Sequence, residues 1–169
     1  MTRTRTALLV TGAALGLVLL PGCSTGKPST QTVGPATQNA SVRLNVSTVS
    51  NLGQVVTDGN GRTLYRFDKD SAKPPVSNCN GDCAAKWPPV IATTDAVSLQ
   101  GVDQSLVGLV TRQDGSKQVT LAGWPLYLFA QDTAPGDAKG QGVGGTWFAA
   151  TPQGKKAAAQ PAAAPPPGY

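Results

Sequence analysis

Two ten-residue stretches of this chain share one pattern, and they constrain its fold more than any other feature. The first is GRTLYRFDKD, residues 61–70, and the second is GWPLYLFAQD, residues 123–132. Gly, Leu, Tyr, Phe and Asp recur at five positions with a constant separation of 62 residues. Because this period is longer than the roughly 20–50 residues of solenoid repeats, it predicts two related half-domains packed about a pseudo-twofold axis.

Apolar and polar residues alternate around these stretches, which is the pattern of β-strands. The segments GQVVTDGNGRTLYRFD and GLVTRQDGSKQVTLAGWPLYLFAQD each predict a hairpin, the second with its turn at Asp114-Gly115. One segment, GDCAAKW, is helical in character. We therefore predict an all-β domain with one short helix, built from two pseudo-symmetric antiparallel half-domains packed as one domain. The expected strands lie near residues 42–48, 53–57, 62–68, 106–112, 117–121, 124–130 and 146–150.

The N-terminal segment predicts export. Two arginines precede an apolar run, residues 7–20, which is shorter than the roughly 20 residues of a membrane span and is typical of a signal peptide. The run ends in Leu-Pro-Gly-Cys, which resembles a bacterial lipobox. The resemblance implies that residues 1–22 are removed and that Cys23 carries diacylglyceryl and acyl chains. Two or three such chains would anchor the protein on the outer side of the cell membrane.

Composition divides the exported chain into three parts. Residues 23–40 contain almost no large apolar side chain and are interpreted as a lipidated, flexible tether. Residues 41–152 are enough for one core, with halves at about 50–90 and 106–152. Residues 153–169 are rich in Ala and Pro and predict a disordered tail.

The charge is mildly positive. The full chain is formally +5, and loss of the two arginines with the signal peptide leaves about +3. This excess favours anionic envelope polymers, lipid headgroups or another envelope protein as partners. It is far from a nucleic-acid footprint, so we expect no nucleic acid partner.

The cysteine count predicts one disulfide. The chain has 3 cysteines, and lipidation of Cys23 leaves Cys79 and Cys83. In an oxidising compartment such a pair is typical of a disulfide, and a helical spacing of about 6 Å between Cα atoms permits it. A redox role with a lowered thiol pKa and Cu(I) binding by two thiolates stay open as alternatives. A zinc site would lack two N/S ligands, so we expect no metal site.

The composition excludes several enzyme classes. With no histidine and no glutamate, the chain cannot form a Ser-His-Asp triad, and general acid–base groups are limited to Asp, Lys, Tyr and Cys. A glycosidase that used Asp70 and Asp132 as its paired carboxylates would need them about 5–10 Å apart, and nothing in the sequence indicates that they approach each other. GQGVGG, residues 140–145, matches a dinucleotide fingerprint but precedes a strand-like segment, so we interpret it as a flexible loop. We expect no catalytic residues and no cofactor besides the acyl chains on Cys23.

The repeated motif allows two interpretations. Tyr and Phe of each motif lie on one face of a strand, and Asp lies at its end. They form either aromatic core pairs with turn-fixing aspartates or two aromatic-and-acid pockets for a ring-bearing or sugar ligand. Two tryptophans, 60 residues apart, extend the repeat. The candidate binding residues are Tyr65, Phe67, Asp70, Trp87, Tyr127, Phe129, Asp132 and Trp147.

Both motifs and the block CNGDCAAKWPPV between them resemble, in this order, the bacterial secreted-repeat lipoproteins of unknown function. That family is marked by a Tyr-x-aromatic-x-x-Asp motif, and the resemblance covers residues 50–152. It implies an envelope lipoprotein and brings no established activity. We expect an extracytoplasmic, lipid-anchored, non-catalytic binding or interaction module. The alternative is a thiol redox or electron-transfer accessory protein that uses Cys79 and Cys83.

Overall fold

The structure is a computed structural model that describes residues 42–159. The regular secondary structure of these residues is mostly β-strand with a single short helix, which confirms the predicted fold class. Signal peptide, tether and Cys23 lie outside the described residues. The strands are β1 (Val42–Val49), β2 (Gly53–Thr57), β3 (Tyr65–Phe67), β4 (Ser71–Ala72), β5 (Pro75–Val76), β6 (Val97–Gln100), β7 (Val107–Thr111), β8 (Lys117–Leu121), β9 (Trp124–Pro125) and β10 (Trp147–Ala149). The helix α1 is Asp82–Lys86, and two 3₁₀ turns are Gln104–Leu106 and Val143–Gly145.

Each half of the domain is organised around one hairpin. β1 pairs with β2, and β7 pairs with β8, both antiparallel. The hairpins are extended into sheets of order β2-β1-β6 and β7-β8-β9, and β10-β3 and β4-β5 form two-stranded sheets. β6 pairs with β1 in parallel, in contrast to the antiparallel expectation. β6 lies after α1, on the connection between the two halves.

The turn residues explain the hairpins. Asp114 Oδ1 accepts the N–H of Ser116 at 2.9 Å, and Gly115 takes a left-handed φ of 81°. An Asp side chain that bonds the backbone two residues on, followed by a glycine with positive φ, fixes a tight turn. The predicted turn at Asp114-Gly115 is therefore confirmed.

Backbone hydrogen bonds interlock the two halves. Val56 N–H donates to the carbonyl of Ala150 at 2.8 Å, and Val119 N–H donates to the carbonyl of Val90 at 2.9 Å. In both cases a hairpin strand of one half binds the final segment of the other half. This reciprocal exchange is the contact pattern expected of two halves related by a pseudo-twofold axis.

Successive side chains of each motif point to opposite faces and divide the core into two layers. Leu64 and Leu126 are fully buried in an aliphatic cluster. Tyr65 and Tyr127, one residue further on, belong to an aromatic cluster. Since successive side chains of a strand point to opposite faces, the motif contributes to both layers at once. Burial of each leucine contributes about 1.5–3 kcal/mol relative to an exposed side chain.

Strands around the motifs are shorter than the sequence indicates. The predicted strands 62–68, 124–130 and 146–150 correspond to Tyr65–Phe67, Trp124–Pro125 and Trp147–Ala149. Beyond β9 the chain bonds through isolated bridges, in which Tyr127 pairs with both Tyr65 and Pro89. Because this backbone is shared between two neighbours, it does not continue one ladder. The short β4, β5 and β6 were not predicted.

The C-terminal boundary also differs from the sequence-based one. Residues 153–159, expected in the disordered tail, lie within the described fold. Ala157 is 3 % exposed, and its N–H donates to the carbonyl of Ala149 at 2.8 Å. Gln141 Nε2 donates to the carbonyl of Ala157 at 2.8 Å. These contacts use the backbone, and a run of alanines gives no periodic pattern that would reveal them.

Gly123 provides a test of the packing between β4 and the second hairpin. A Cβ at Gly123, whose φ is 84°, would clash with the carbonyl oxygen of Ala72. Gly123→Ala should lower the free energy of unfolding by about 2–5 kcal/mol, from backbone strain plus overpacking. Gly115→Ala, at φ 81° with no atom within 4 Å of the added Cβ, should cost about 1–2 kcal/mol. Equal losses in urea unfolding of the two variants would contradict the close approach.

Candidate functional site

The two motifs meet at the centre of the domain. Tyr65 N–H donates to the carbonyl of Tyr127 at 2.8 Å, and Tyr127 N–H donates to the carbonyl of Tyr65 at 2.9 Å. Two such bonds join residues directly opposite each other in antiparallel strands. The motif tyrosines therefore lie on either side of the pseudo-twofold axis.

The motif side chains are exchanged between the halves. Tyr65 Oη donates to Asp132 Oδ2 at 2.6 Å, and Tyr127 Oη donates to Asp70 Oδ2 at 2.7 Å. Each tyrosine thus bonds the aspartate of the other motif. These distances are typical of a hydroxyl bonded to a carboxylate, the stronger class of hydrogen bond.

The second oxygen of each carboxylate is also occupied. Asp70 Oδ1 accepts the N–H of Asn78 at 2.7 Å, and Asp132 Oδ1 accepts the N–H of Lys139 at 3.0 Å. Each aspartate therefore joins a tyrosine of the other half to the loop that follows its own motif.

Four motif rings stack in one column across the axis, and the column alternates between the two halves. Neighbouring ring centroids are 4.0, 3.9 and 4.2 Å apart, and the central tryptophan rings are within 1° of parallel. Each tyrosine lies edge-on against the tryptophan of its own half, with centroids 5.4 and 5.1 Å apart. Along the column the rings are Phe67, Trp147, Trp87 and Phe129.

All eight candidate binding residues are buried together. Their exposed fractions range from 0 % for the two tyrosines to 8 % for Phe67 and Asp70. The six aromatic rings belong to a single cluster, so the two motifs share one core. In this structure the eight side chains contact each other, and their contact with an external ligand stays a prediction.

One half contains a buried cation beside its tyrosine. Arg112, just after β7, has a side chain that is 2 % exposed. Its Nη1 donates to Ser77 Oγ at 2.5 Å and to Gln118 Oε1 at 2.7 Å. Ser77 Oγ lies 2.8 Å from Tyr127 Oη. A chain of hydrogen bonds therefore links the guanidinium through Ser77 and Tyr127 to the carboxylate of Asp70.

Sequence reasoning missed Arg112, Ser77 and Gln118. Arg, Ser and Gln are ordinarily exposed, and Arg112 stands beside a hairpin turn where an exposed charge is common. The sequence gives no signal that these three side chains converge behind Tyr127.

The other tyrosine, Tyr65, is approached by backbone of the second half instead. Gly140 N–H donates to Tyr65 Oη at 3.2 Å. A Cβ at Gly140 would lie 2.8 Å from ring atoms of both Tyr65 and Trp87, so glycine is required by the close approach. The glycine-rich stretch 140–145, interpreted as a flexible loop, therefore begins at a buried residue packed against the aromatic column.

The proton affinities of the site follow from its burial. Burial raises the pKa of Tyr65 above its usual 10.0, and the hydrogen bond and charge of Asp132 raise it further. Burial likewise raises the pKa of Tyr127, against the opposing effect of the Ser77 hydrogen bond. The pKa of Asp70 is also raised by burial, although hydrogen bonds from Asn78 and Tyr127 act in the opposite direction.

Cys79 and Cys83 form the predicted disulfide, with Cα atoms 5.2 Å apart. Cys79 precedes α1 and Cys83 is its second residue, so the bridge closes a tighter turn than an ideal helix. Both cysteines pack against the aromatic cluster. The carbonyl of Cys79 accepts from Arg112 Nη2 at 2.7 Å. The bridge therefore holds the loop before α1 against the core.

Two further features of the described region bear on the sequence-based expectations. Within residues 42–159, no group of three or more His, Cys, Asp or Glu side chains is placed to hold a metal ion. In the same region no helix has the length and apolar character needed to cross a membrane. Cys23, the predicted lipidation site, lies outside the described residues.

A family model described as a secreted repeat of unknown function matches residues 46–91 and 108–151, which together make up more than half of the chain. The chain belongs to this family. The two matched ranges coincide with the two interlocked halves, so each half is one secreted repeat. The family description implies an extracytoplasmic protein. A search of curated proteins and a search of solved structures both returned no match.

The buried tyrosines predict a loss of stability at alkaline pH. Since folding raises the pKa of Tyr65 and Tyr127, their stabilisation is complete below pH 10 and is lost as the pH rises above it. The expected loss is about 1.4 kcal/mol per pH unit for each tyrosine. In a Tyr169→Phe chain, phenolate absorbance should stay flat through pH 10 and then rise together with loss of the native circular dichroism. A rise centred near pH 10 in folded protein would disprove the burial of the hydroxyls.

Proposed function

We propose that this secreted repeat protein is a non-catalytic interaction module of the cell envelope, held at the membrane by acyl chains on Cys23. The observation that supports a non-catalytic role is the occupancy of the motif carboxylates. Asp70 and Asp132 are buried, and both oxygens of each accept hydrogen bonds within the fold. A general acid or base must lie within reach of the substrate proton, and these two groups face the protein interior.

The accessible charge of the domain suits an anionic partner. Five exposed lysines and the exposed Arg43 make no ion pair with a carboxylate among residues 42–159. Scattered single charges bind weakly one by one, but a long polyanion can contact several of them at once. We therefore favour an anionic envelope polymer as the partner over another envelope protein. The five residues are Lys69, Lys73, Lys86, Lys117 and Lys155.

The sequence-based alternative uses Cys79 and Cys83 for thiol redox or electron-transfer chemistry. It has less support, because Cys79 is 0 % exposed and its carbonyl binds the buried Arg112. Reduction would free a loop that helps to hold Arg112 in place. Redox-active cysteines are usually partly exposed and lie in electropositive surroundings.

The lipid anchor is tested by Cys23→Ser in the full chain. Wild-type protein should partition into the membrane fraction, and mass spectrometry should find acyl chains on Cys23. Without the acylated thiol, the variant should move to the soluble extracytoplasmic fraction or the medium, because no acyl chain holds it. Ser24→Ala, the matched control one residue away, should remain with the membrane. Retention of Cys23→Ser at the wild-type level would show that another element attaches the protein.

The polymer partner is tested by salt-dependent retention of the soluble Cys23→Ser protein on immobilised poly(glycerol phosphate). Retention should fall steeply as salt screens the lysines. Replacing the five exposed lysines with Gln should sharply reduce it, and replacing the same five with Arg should preserve it. Equal retention of the Gln and Arg variants, or no retention of the parent protein at low salt, would argue against this partner.

A further inference from the structure

The central tryptophan pair has a geometry that aromatic side chains seldom adopt. Protein rings usually pack offset or edge-to-face, with centroids about 4.5–7 Å apart. Trp87 and Trp147 lie within 1° of parallel, with centroids 3.9 Å apart. Removing one electron from this pair leaves a positive charge, and two parallel indole rings in such close contact can share that charge. The pair is therefore easier to oxidise than a single buried tryptophan.

A tyrosine with a ready proton acceptor adjoins this pair. Tyr65 lies edge-on against Trp87, with centroids 5.4 Å apart, and its hydroxyl donates to Asp132 Oδ2 at 2.6 Å. Loss of an electron makes a phenol strongly acidic. A carboxylate at hydrogen-bond distance can then accept the proton without movement of either side chain, so the buried tyrosine avoids becoming a cation.

Few other side chains of the domain compete as electron donors. Residues 42–159 contain no methionine and no histidine, and the two cysteines of the domain are joined as a disulfide. The remaining tryptophan, Trp124, has the guanidinium carbon of Arg66 3.4 Å from its ring centroid. A positive charge over the ring face binds its electrons more tightly. An oxidant that removes one electron from the domain should therefore take it from the tryptophans of the central column.

The pseudo-symmetric tyrosine is in a different electrostatic setting. Tyr127 bonds Asp70, but the same network continues through Ser77 to the buried Arg112. Within residues 42–159, Arg112 pairs with a carboxylate only at Asp114, which is exposed and 3.9 Å away, so proton transfer to Asp70 would remove the one buried negative charge in this network, at a cost in a buried site. Asp132 accepts hydrogen bonds from Tyr65 and from the backbone of Lys139, without a buried cation in the network. The radical is therefore expected to form on Tyr65 in preference to Tyr127.

We propose that Trp147, Trp87 and Tyr65 form an electron-donor relay that reduces one-electron oxidants at the cell envelope. An oxidant of the class of peroxide-derived radicals takes one electron from the tryptophan pair and leaves its radical cation. Tyr65 then gives one electron to the pair, and its O–H bond breaks as the proton binds Asp132 Oδ2. The products are the neutral Tyr65 radical, protonated Asp132 and the restored tryptophan pair. One electron from a small reductant such as ascorbate, with return of the proton from Asp132, regenerates the resting state.

The test uses the full chain in detergent, with Tyr169→Phe to remove the tail tyrosine. Photogenerated tris(bipyridine)ruthenium(III) serves as the oxidant, and transient absorption and electron paramagnetic resonance distinguish tyrosyl from tryptophanyl radicals. We expect a tyrosyl radical that is lost in Tyr65→Phe, leaving a tryptophanyl signal. The radical should be retained in the matched variants Tyr127→Phe and Trp124→Phe. A tyrosyl radical that survives Tyr65→Phe, or that disappears in Trp124→Phe, would overturn the relay.

Two further measurements address the proton step and do not depend on folding of Tyr65→Phe. Transfer of the unchanged Tyr169→Phe chain to D₂O should slow formation of the tyrosyl radical at least about twofold, because an O–H bond breaks in that step. Asp132→Asn should slow it at least about tenfold, whereas Asp95→Asn, at an exposed aspartate outside the site, should leave it within about twofold. Formation of the radical at the same rate in D₂O and in Asp132→Asn would exclude Asp132 as the proton acceptor.

Discussion

Each motif tyrosine donates its hydroxyl to the aspartate of the other repeat, and the rest of the structure depends on this exchange. The aspartates pass the connection on to the loops that follow them, through the N–H groups of Asn78 and Lys139. Hydrogen bonds to a charged group contribute about 1.5–3 kcal/mol each, and a buried carboxylate without them would be strongly destabilising. A single repeat would retain an unpaired tyrosine and an unpaired aspartate, so each repeat needs the other to complete its core.

The exchange also determines the arrangement of the aromatic rings. Because the tyrosines face each other across the axis, the tryptophans that follow the two motifs are brought together between them. The resulting column lies on the axis, where Trp87 contacts Trp147. The disulfide acts on a smaller scale, since it closes a five-residue loop that adds about 2 kcal/mol by the chain-entropy estimate. Its value lies in holding the Cys79 carbonyl against Arg112.

Much of the fold could be predicted from the sequence, because it follows from local patterns. The alternation of apolar and polar residues predicted the strands of both hairpins, and Asp114-Gly115 predicted the turn of the second. The odd number of cysteines left one pair for a disulfide once Cys23 was assigned to lipidation. The partner of each tyrosine could not be predicted, since equal motif spacing is compatible with bonding within or between repeats. Arg112 was missed for a related reason, because its acceptors come from distant segments and none of them is unusual in sequence. Residues 153–159 are held by backbone contacts that leave no side-chain pattern.

The repeated motif places the same chemical groups in two different electrostatic environments. Behind Tyr127, hydrogen bonds through Ser77 connect the buried Arg112 to the Tyr127–Asp70 pair, so the charge of Asp70 contributes to the charge balance of the core. Behind Tyr65, backbone N–H groups of Lys139 and Gly140 complete the hydrogen bonding, and they carry no net charge. A proton can therefore move within the Tyr65–Asp132 pair without leaving a buried cation uncompensated. The two motifs form the same tyrosine–aspartate hydrogen bond twice. Because the buried Arg112 is linked only to the Tyr127–Asp70 bond, the Tyr65–Asp132 bond is the one suited to proton transfer.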